Sequence, residues 1–185
     1  LTPNRGDCLS HLGVARELGI GSGRDVKRRA VAINESANPT SNDIKVTIEN
    51  PDACPRYAAR VVMGVKVEPS PQWLVDRLVS IGQSSINNIV DAANYVLMDS
   101  GHPMHTFDLD NISGNEINVR YAKKGEKLTT LDNEKRDLKD FHLLICDGEN
   151  PIALAGIMGG VNSEIIDGTI NILIESAYFS PKVVR

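Results

Sequence analysis

Apolar residues recur at two spacings along the chain, and the change of spacing divides it. Leu9, Leu12, Val14, Ala15 and Leu18 follow at roughly helical intervals. This predicts a helix over about 8–18, with Gly19 just past its end. Residues 21–42 are polar, rich in Gly, Ser and Asn, and carry the basic run Lys27-Arg28-Arg29. They read as a linker, with the basic run as solvated surface. From Asp43 the period is two: Ile44, Val46 and Ile48 alternate with polar residues, the mark of a half-buried strand. Tyr57 to Val67 reads as a second strand. Ser70-Pro71 predicts an N-cap followed by proline at the first helical position. Trp73, Leu74, Leu78 and Ile81 give that helix its apolar face, and Gly82 ends it. Ser85 is the expected cap of a further helix whose buried side is Ile86, Ile89, Val90, Ala93 and Val96 or Leu97.

Beyond Gly101 the pattern is one of short strands and turns. Ile117, Val119 and Tyr121 alternate over 116–122. Lys127–Leu131 and Lys135–Leu138 flank Asp132-Asn133-Glu134 as a hairpin. Leu143–Cys146, Ile152–Ile157 and Asn171–Ile174 are continuous apolar runs, as expected of interior strands. Ser180-Pro181 repeats the cap-plus-proline device, so a helix is expected to begin at Pro181. The organisation read from these patterns is a helical segment over 1–20, a linker over 21–42 and a domain over 43–185, truncated at its C-terminal end. The start at Leu1 without methionine also suggests a piece of a longer chain.

Composition narrows the picture. Of 185 residues 41% are hydrophobic but only 4% aromatic, so the core must be mainly aliphatic. The formal net charge of −4 lacks the basic excess with which duplex-binding domains neutralise phosphates; any contact with nucleic acid is expected to be small. Cys8, Cys54 and Cys146 are odd in number and far apart, which fits reduced thiols of a cytosolic protein rather than a disulfide framework or a thiolate zinc site. No apolar run approaches a membrane span of ~20 residues, and no signal peptide opens the chain.

Three stretches carry candidate chemistry. Asn94-Tyr95 stands near a helix end, ahead of His102-Pro103-Met104-His105-Thr106-Phe107-Asp108. Pro103 disfavours helix at His102, so 104–107 is expected to be extended, with His105 and Phe107 on one side. A neutral imidazole donates one hydrogen bond and accepts one, which suits positioning a water or a ribose hydroxyl. Spacing alone favours the other reading of His105, a structural histidine satisfying a nearby backbone group. A metal set of His102, His105 and Asp108 would need three convergent ligands across a proline-interrupted strand. The second stretch, Ala153 to Gly160, is dense in small residues, which let a ligand approach the backbone. Its Gly159-Gly160 pair is expected to make a sharp turn. The stretch also reads as a plain turn between core strands; it lacks the spacing of a phosphate-binding loop. The third feature is Glu175, at the end of an apolar run, where a carboxylate is costly without partners. It suits accepting a hydrogen bond from a substrate hydroxyl, or capping the turn over 176–180. No Gly-x-Ser-x-Gly nucleophile is present, so an oriented water is the expected attacker in any hydrolysis. Segments Ser85–Asp108 and Pro151–Glu175 are expected to form one pocket for a small-molecule group.

The strings TPNRGDCLSHLGVARE, SINNIVDAANYVLMDSGHPMHTFD, KGEKLTTLD, PIALAGIMGG and NILIESAYFSP, in that order, resemble the bacterial phenylalanyl-tRNA synthetase β-subunit family. The resemblance from about Asp43 onward is to its editing domain. It implies an α/β (α+β) fold of three layers, with a β-sandwich of unusual topology, mixed sheets and flanking helices. It implies a cytoplasmic (αβ)2 ligase that joins phenylalanine to tRNA(Phe) with ATP and magnesium at a synthesis site on the α subunit, and no cofactor or metal in the present segment. The editing domain of the family meets the 3′ end of the tRNA and hydrolyses wrongly attached tyrosine. By motif position, His105 corresponds to a catalytic pocket residue and Asn94 to a substrate-binding one. Ala155, Gly156 and Gly159 correspond to the loop lining the pocket, and Glu175 to the acid that recognises the tyrosine hydroxyl. A non-catalytic tRNA-binding or assembly module is the alternative. The family continues past Arg185 with residues that complete the pocket.

Overall fold

The structure, a computed structural model, describes residues 1–27 and 30–185; the basic run therefore lies, at Arg28 and Arg29, outside the described residues. The chain forms two units, Leu1–Asn38 with Pro69–Met104, and Pro39–Glu68 with His105–Arg185.

In the first unit Ser10 sets the start of α1 (His11–Ser22), its hydroxyl accepting from the Gly13 N–H at 3.0 Å. The helix starts and ends later than the apolar spacing predicts. Cys8 lies in a preceding 3-10 turn, and the left-handed residue that ends the helix is Gly23 (φ 65°), not Gly19. Helix α2 (Gln72–Ser80) takes Pro71 as its N-cap, and α3 (Asn88–Ser100) takes Asn87, whose side chain accepts from the N–H groups of Ile89 and Val90. Ser70 and Ser85, the caps expected from sequence, are drawn elsewhere. Each hydroxyl donates to Oδ2 of Asp91 at 2.5 Å, and the Ile86 N–H donates to Oδ1 at 2.9 Å. Asp91 is fully buried, and three donors make that burial tolerable. Ile86, ahead of α3, is exposed, against expectation, and of Val96 and Leu97 it is Leu97 that is half-buried; Trp73 and the α2 C-cap Ile81 are likewise exposed, and Leu74 and Leu78 carry the burial.

In the second unit β1 (Lys45–Ile48) runs parallel to β4 (Glu116–Tyr121). Antiparallel pairing continues through β7 (Leu143–Cys146), β8 (Pro151–Leu154) and β9 (Met158–Gly159), giving a mixed five-stranded sheet. A second sheet is antiparallel, with β10 (Ile172–Tyr178) between β2 (Arg56–Val62) and β3 (His105–Asp108). Strand β2 stops before Gly64 (φ 69°), short of the expected Val67. Strands β5 (Lys127–Thr129) and β6 (Lys135–Asp137) form the expected hairpin, and α4 (Pro181–Val184) begins at the expected proline.

Strand β7 explains the layering. Its alternate residues enter different cores: Leu143 and Ile145 pack with Ile117, Val119, Phe107 and Leu173 between the two sheets. Leu144 and Cys146 pack with Leu128 and Leu138 under the hairpin. A strand buried on both faces has no polar position, hence its unbroken apolar run. The unit is thus small sheet on large sheet on hairpin, a mixed α/β architecture of several mixed and antiparallel sheets.

Asp91 yields a prediction. Replacing it with alanine leaves two hydroxyls and one N–H without their acceptor, so the Asp91→Ala protein should lose about 2–3 kcal/mol of stability in urea denaturation. A loss under about 0.5 kcal/mol would show that water replaces the carboxylate at no cost.

Candidate functional site

The central strand β10 brings the main candidates together. Glu175 lies opposite His105 on β3 and Ala59 on β2. Directly opposed residues share a face, so the carboxyl, the imidazole and the small Ala59 side chain form one row. The strand period adds Tyr57 and Val61 from β2, Leu173 from β10 and Phe107 from β3 to the same face, which is the face turned to the sandwich core. Glu175 is 6% exposed. Burial pushes its carboxyl up from the ordinary 4.5 to about 8, with the Tyr57 hydroxyl acting weakly in the opposite direction. The imidazole of His105 is lowered from 6.5 to about 4 by burial, so it is neutral at neutral pH. Its ring meets Phe107 edge to face, with centroids 4.6 Å apart.

Two further groups complete the surroundings, and sequence reasoning missed both. Burial raises the Tyr57 hydroxyl well above its usual range, the charge of Glu175 adding to this. Its oxygen is near enough to act on Glu175 but makes no hydrogen bond of normal geometry. The Cys54 thiol, fully buried, is raised to about 11 by burial and sits against the Arg56 carbonyl at 3.5 Å. The alternation Tyr57, Ala59, Val61 was the available signal, since it marks the inward face of β2.

Strands β8 and β9 are joined by Ala155-Gly156-Ile157, a three-residue loop with Gly156 at φ 70° and Ile157 N–H donating to the Leu154 carbonyl. The turn is therefore made at Gly156, not at Gly159-Gly160. Those two glycines serve close approach instead. A Cβ on Gly159 would stand 2.6 Å from Nε2 of His105, and one on Gly160 2.8 Å from the Ile152 carbonyl oxygen. Ala155 lines a groove of about 720 Å³ with Phe141, Ile157 and Val184; neither His105 nor Glu175 reaches it.

The structure thus gathers His105, Glu175 and Gly159, with Ala155 and Gly156 on the adjoining loop. Asn94, on α3, belongs to the first unit, as does all of Ser85–Met104. Of the first segment expected to build the pocket, only His105–Asp108 therefore lies in the unit that holds Pro151–Glu175. The metal set fails on strand geometry. His105 and Asp108 are three residues apart on β3 and point to opposite faces. Asp108 instead accepts from Thr169 Oγ1 at 2.7 Å and from the Asp110 N–H. Among the described residues Asp7, Cys8 and Glu17 have metal-ligand spacing, but Arg5 pairs with both carboxylates at 2.9 and 2.8 Å.

The site makes stability depend on pH in two opposed ways. Between about pH 4.5 and 8 the folded chain holds a proton on Glu175 that the unfolded chain has released, so stability falls as pH rises. Between about pH 6.5 and 4 the unfolded chain protonates a histidine that stays neutral when folded, so stability falls as pH drops. The Glu175→Gln protein should lose the alkaline decline, gaining on the order of 4 kcal/mol over the parent at pH 8.5 relative to pH 5. Parallel stability–pH curves for the two proteins would refute this account of Glu175. Gly159→Ala should displace the His105 ring, seen as a shift of its imidazole NMR resonances; unchanged resonances would show slack that the packing does not have.

A family model of the B3/4 domain matches residues 53–185. Phenylalanine–tRNA ligase β subunits are similar along the whole chain. The one from Geobacter metallireducens is 53% identical, that from Syntrophotalea carbinolica 50% and that from Bacillus cereus 48%, over 185 residues in each case. The chain spans 23% of the length of these relatives. Among solved structures, an N-terminal fragment of the phenylalanyl-tRNA synthetase β subunit from Pyrococcus horikoshii has the same fold. It aligns with a TM-score of 0.56 and 19% identity, over 97% of this chain and 54% of that one. With the match running from Ala53 to Arg185, well over half of the chain, the chain belongs to the B3/4 domain family.

Proposed function

We propose that this chain is the part of a phenylalanine–tRNA ligase β subunit that hydrolyses tyrosine wrongly attached to tRNA(Phe). The observation that carries the reading is the Glu175 carboxyl: buried at mid-strand, faced by the Tyr57 hydroxyl and paired across the sheet with a neutral imidazole. Tyrosine differs from phenylalanine by one hydroxyl. A mainly apolar synthesis pocket rejects an added hydroxyl by only ~10²-fold, whereas a site that must hydrogen-bond the hydroxyl rejects its absence far more strongly. Glu175 supplies an acceptor oxygen whether ionised or protonated.

In the reaction the oxygen of a water bonds to the ester carbonyl carbon, the bond to the ribose oxygen breaks and a proton of the water ends on the ribose. An imidazole that binds protons only near pH 4 is a poor base at neutral pH. His105 therefore positions the water or a ribose hydroxyl through its one donor and one acceptor. Gly159 keeps the backbone within reach of the ester, where N–H groups stabilise the developing oxyanion. Ala155 and Gly156 form the neighbouring wall. Only the 3′ end of the tRNA enters, which fits a net charge of −4. The remaining parts of this reading are a cytoplasmic (αβ)2 ligase and an α subunit that holds the ATP- and magnesium-dependent synthesis site.

In the intact ligase, Glu175→Ala should slow tyrosyl-tRNA(Phe) deacylation by about 100-fold or more while leaving phenylalanyl-tRNA formation unchanged. Normal clearance by the variant would overturn the role of Glu175. A domain that serves only assembly would leave tyrosyl-tRNA uncleared by the unaltered enzyme as well.

A further inference from the structure

Among the described residues two buried side-chain oxygens make no hydrogen bond, the Tyr57 hydroxyl and Oδ1 of Asn118. The Asn118 amide donates to Glu49 at 2.7 Å, so that side chain is partly satisfied and lacks only a bond to its acceptor. The Tyr57 side chain has one polar atom, and the Glu175 carboxyl acts on it without forming a hydrogen bond of normal geometry. A buried donor without an acceptor is destabilising, and such groups are rare in folded proteins. The sheet register fixes where this one lies. Ala59 pairs with Glu175, and Tyr57 stands two residues earlier on β2, on the same inward face. The ring packs on the sandwich core, which leaves the hydroxyl near the Glu175 carboxyl.

Resting on the editing function proposed above, we propose that Tyr57 is a second specificity-determining residue. Its hydroxyl donates to the phenol oxygen of the tyrosyl group, while a Glu175 oxygen accepts the phenol's proton. A phenol has one donor and at least one acceptor site, and the pair answers both. The complementarity holds for either protonation state of Glu175, because a protonated carboxyl keeps an acceptor oxygen. A phenylalanyl group would leave the Tyr57 donor as unpaired as it is without substrate, and would bury it further. The poorly paired hydroxyl is thus a cost carried by the free protein and relieved by the correct substrate.

Tyr57→Phe removes one oxygen and keeps the ring. In the intact ligase it should reduce kcat/KM for tyrosyl-tRNA(Phe) deacylation roughly 10- to 100-fold. Its melting temperature should be unchanged or higher, because the deleted group had no hydrogen bond of normal geometry. Glu175→Ala is assayed in parallel. If Glu175→Ala is impaired and Tyr57→Phe is not, Tyr57 has no part in recognition and the role of Glu175 survives. If Glu175→Ala is itself unimpaired, the editing reading falls and takes this inference with it. A Tyr57→Phe protein that melts several degrees lower would also overturn the inference, since the hydroxyl would then be a structural partner in the free protein.

Discussion

The apolar layer between the three-stranded and five-stranded sheets is the constraint on which the second unit depends. Phe107, Leu173, Ile117 and Val119 are fully or almost fully removed from water within it. Water exclusion makes this layer stabilising, and it also makes every ionisable group at its margin behave unusually. Glu175, His105, Tyr57 and Cys54 depart from their ordinary proton affinities for the same leading reason, burial, and each departs toward its neutral form. The chemistry of the site is therefore a property of the core rather than of a particular ion pair. Elsewhere in this unit the chain pairs its buried charge directly, as with Arg120 and Glu126, whose two bonds measure 2.6 and 2.9 Å. The contrast distinguishes a carboxylate committed to structure from one left available.

Much of the second unit was legible in the sequence because local pattern and tertiary environment agree there. The run Leu143–Cys146 reads as an interior strand and is buried on both faces; the hairpin around Asn133, at φ 62°, has the turn chemistry its residues suggest. The first unit was less legible at its helix starts. Ser70 and Ser85 are good caps by type, but a buried acceptor at Asp91 competes for both hydroxyls, and no local rule reveals a competitor that lies a turn into α3. Likewise the Gly159-Gly160 pair looks like a turn, yet its reason is the His105 ring and the Ile152 carbonyl that crowd it.

The site was half legible for a related reason. His105 and Glu175 stand out as polar residues in apolar strands, and motif order joins them. Tyr57 does not stand out, because tyrosine is an ordinary strand residue. Its significance arises only when β2 is laid beside β10, a pairing between residues more than a hundred positions apart. A buried hydroxyl becomes visible as unpaired only after every neighbour has been placed.

The position of β10 between two antiparallel partners has an evolutionary consequence. Side chains alternate faces along a strand, so the choice of which group looks into the site is encoded in register. Hairpin turns far from this row, such as the one around Asn133, can lengthen or shorten without moving Glu175 or His105 off that face. A single inserted or deleted residue within β10 itself would turn Glu175 outward and present Ile174 or Ser176 in its place. The make-up of this row of side chains is thus sensitive to single-residue insertions and deletions in three short strands, β2, β3 and β10, and far less so elsewhere.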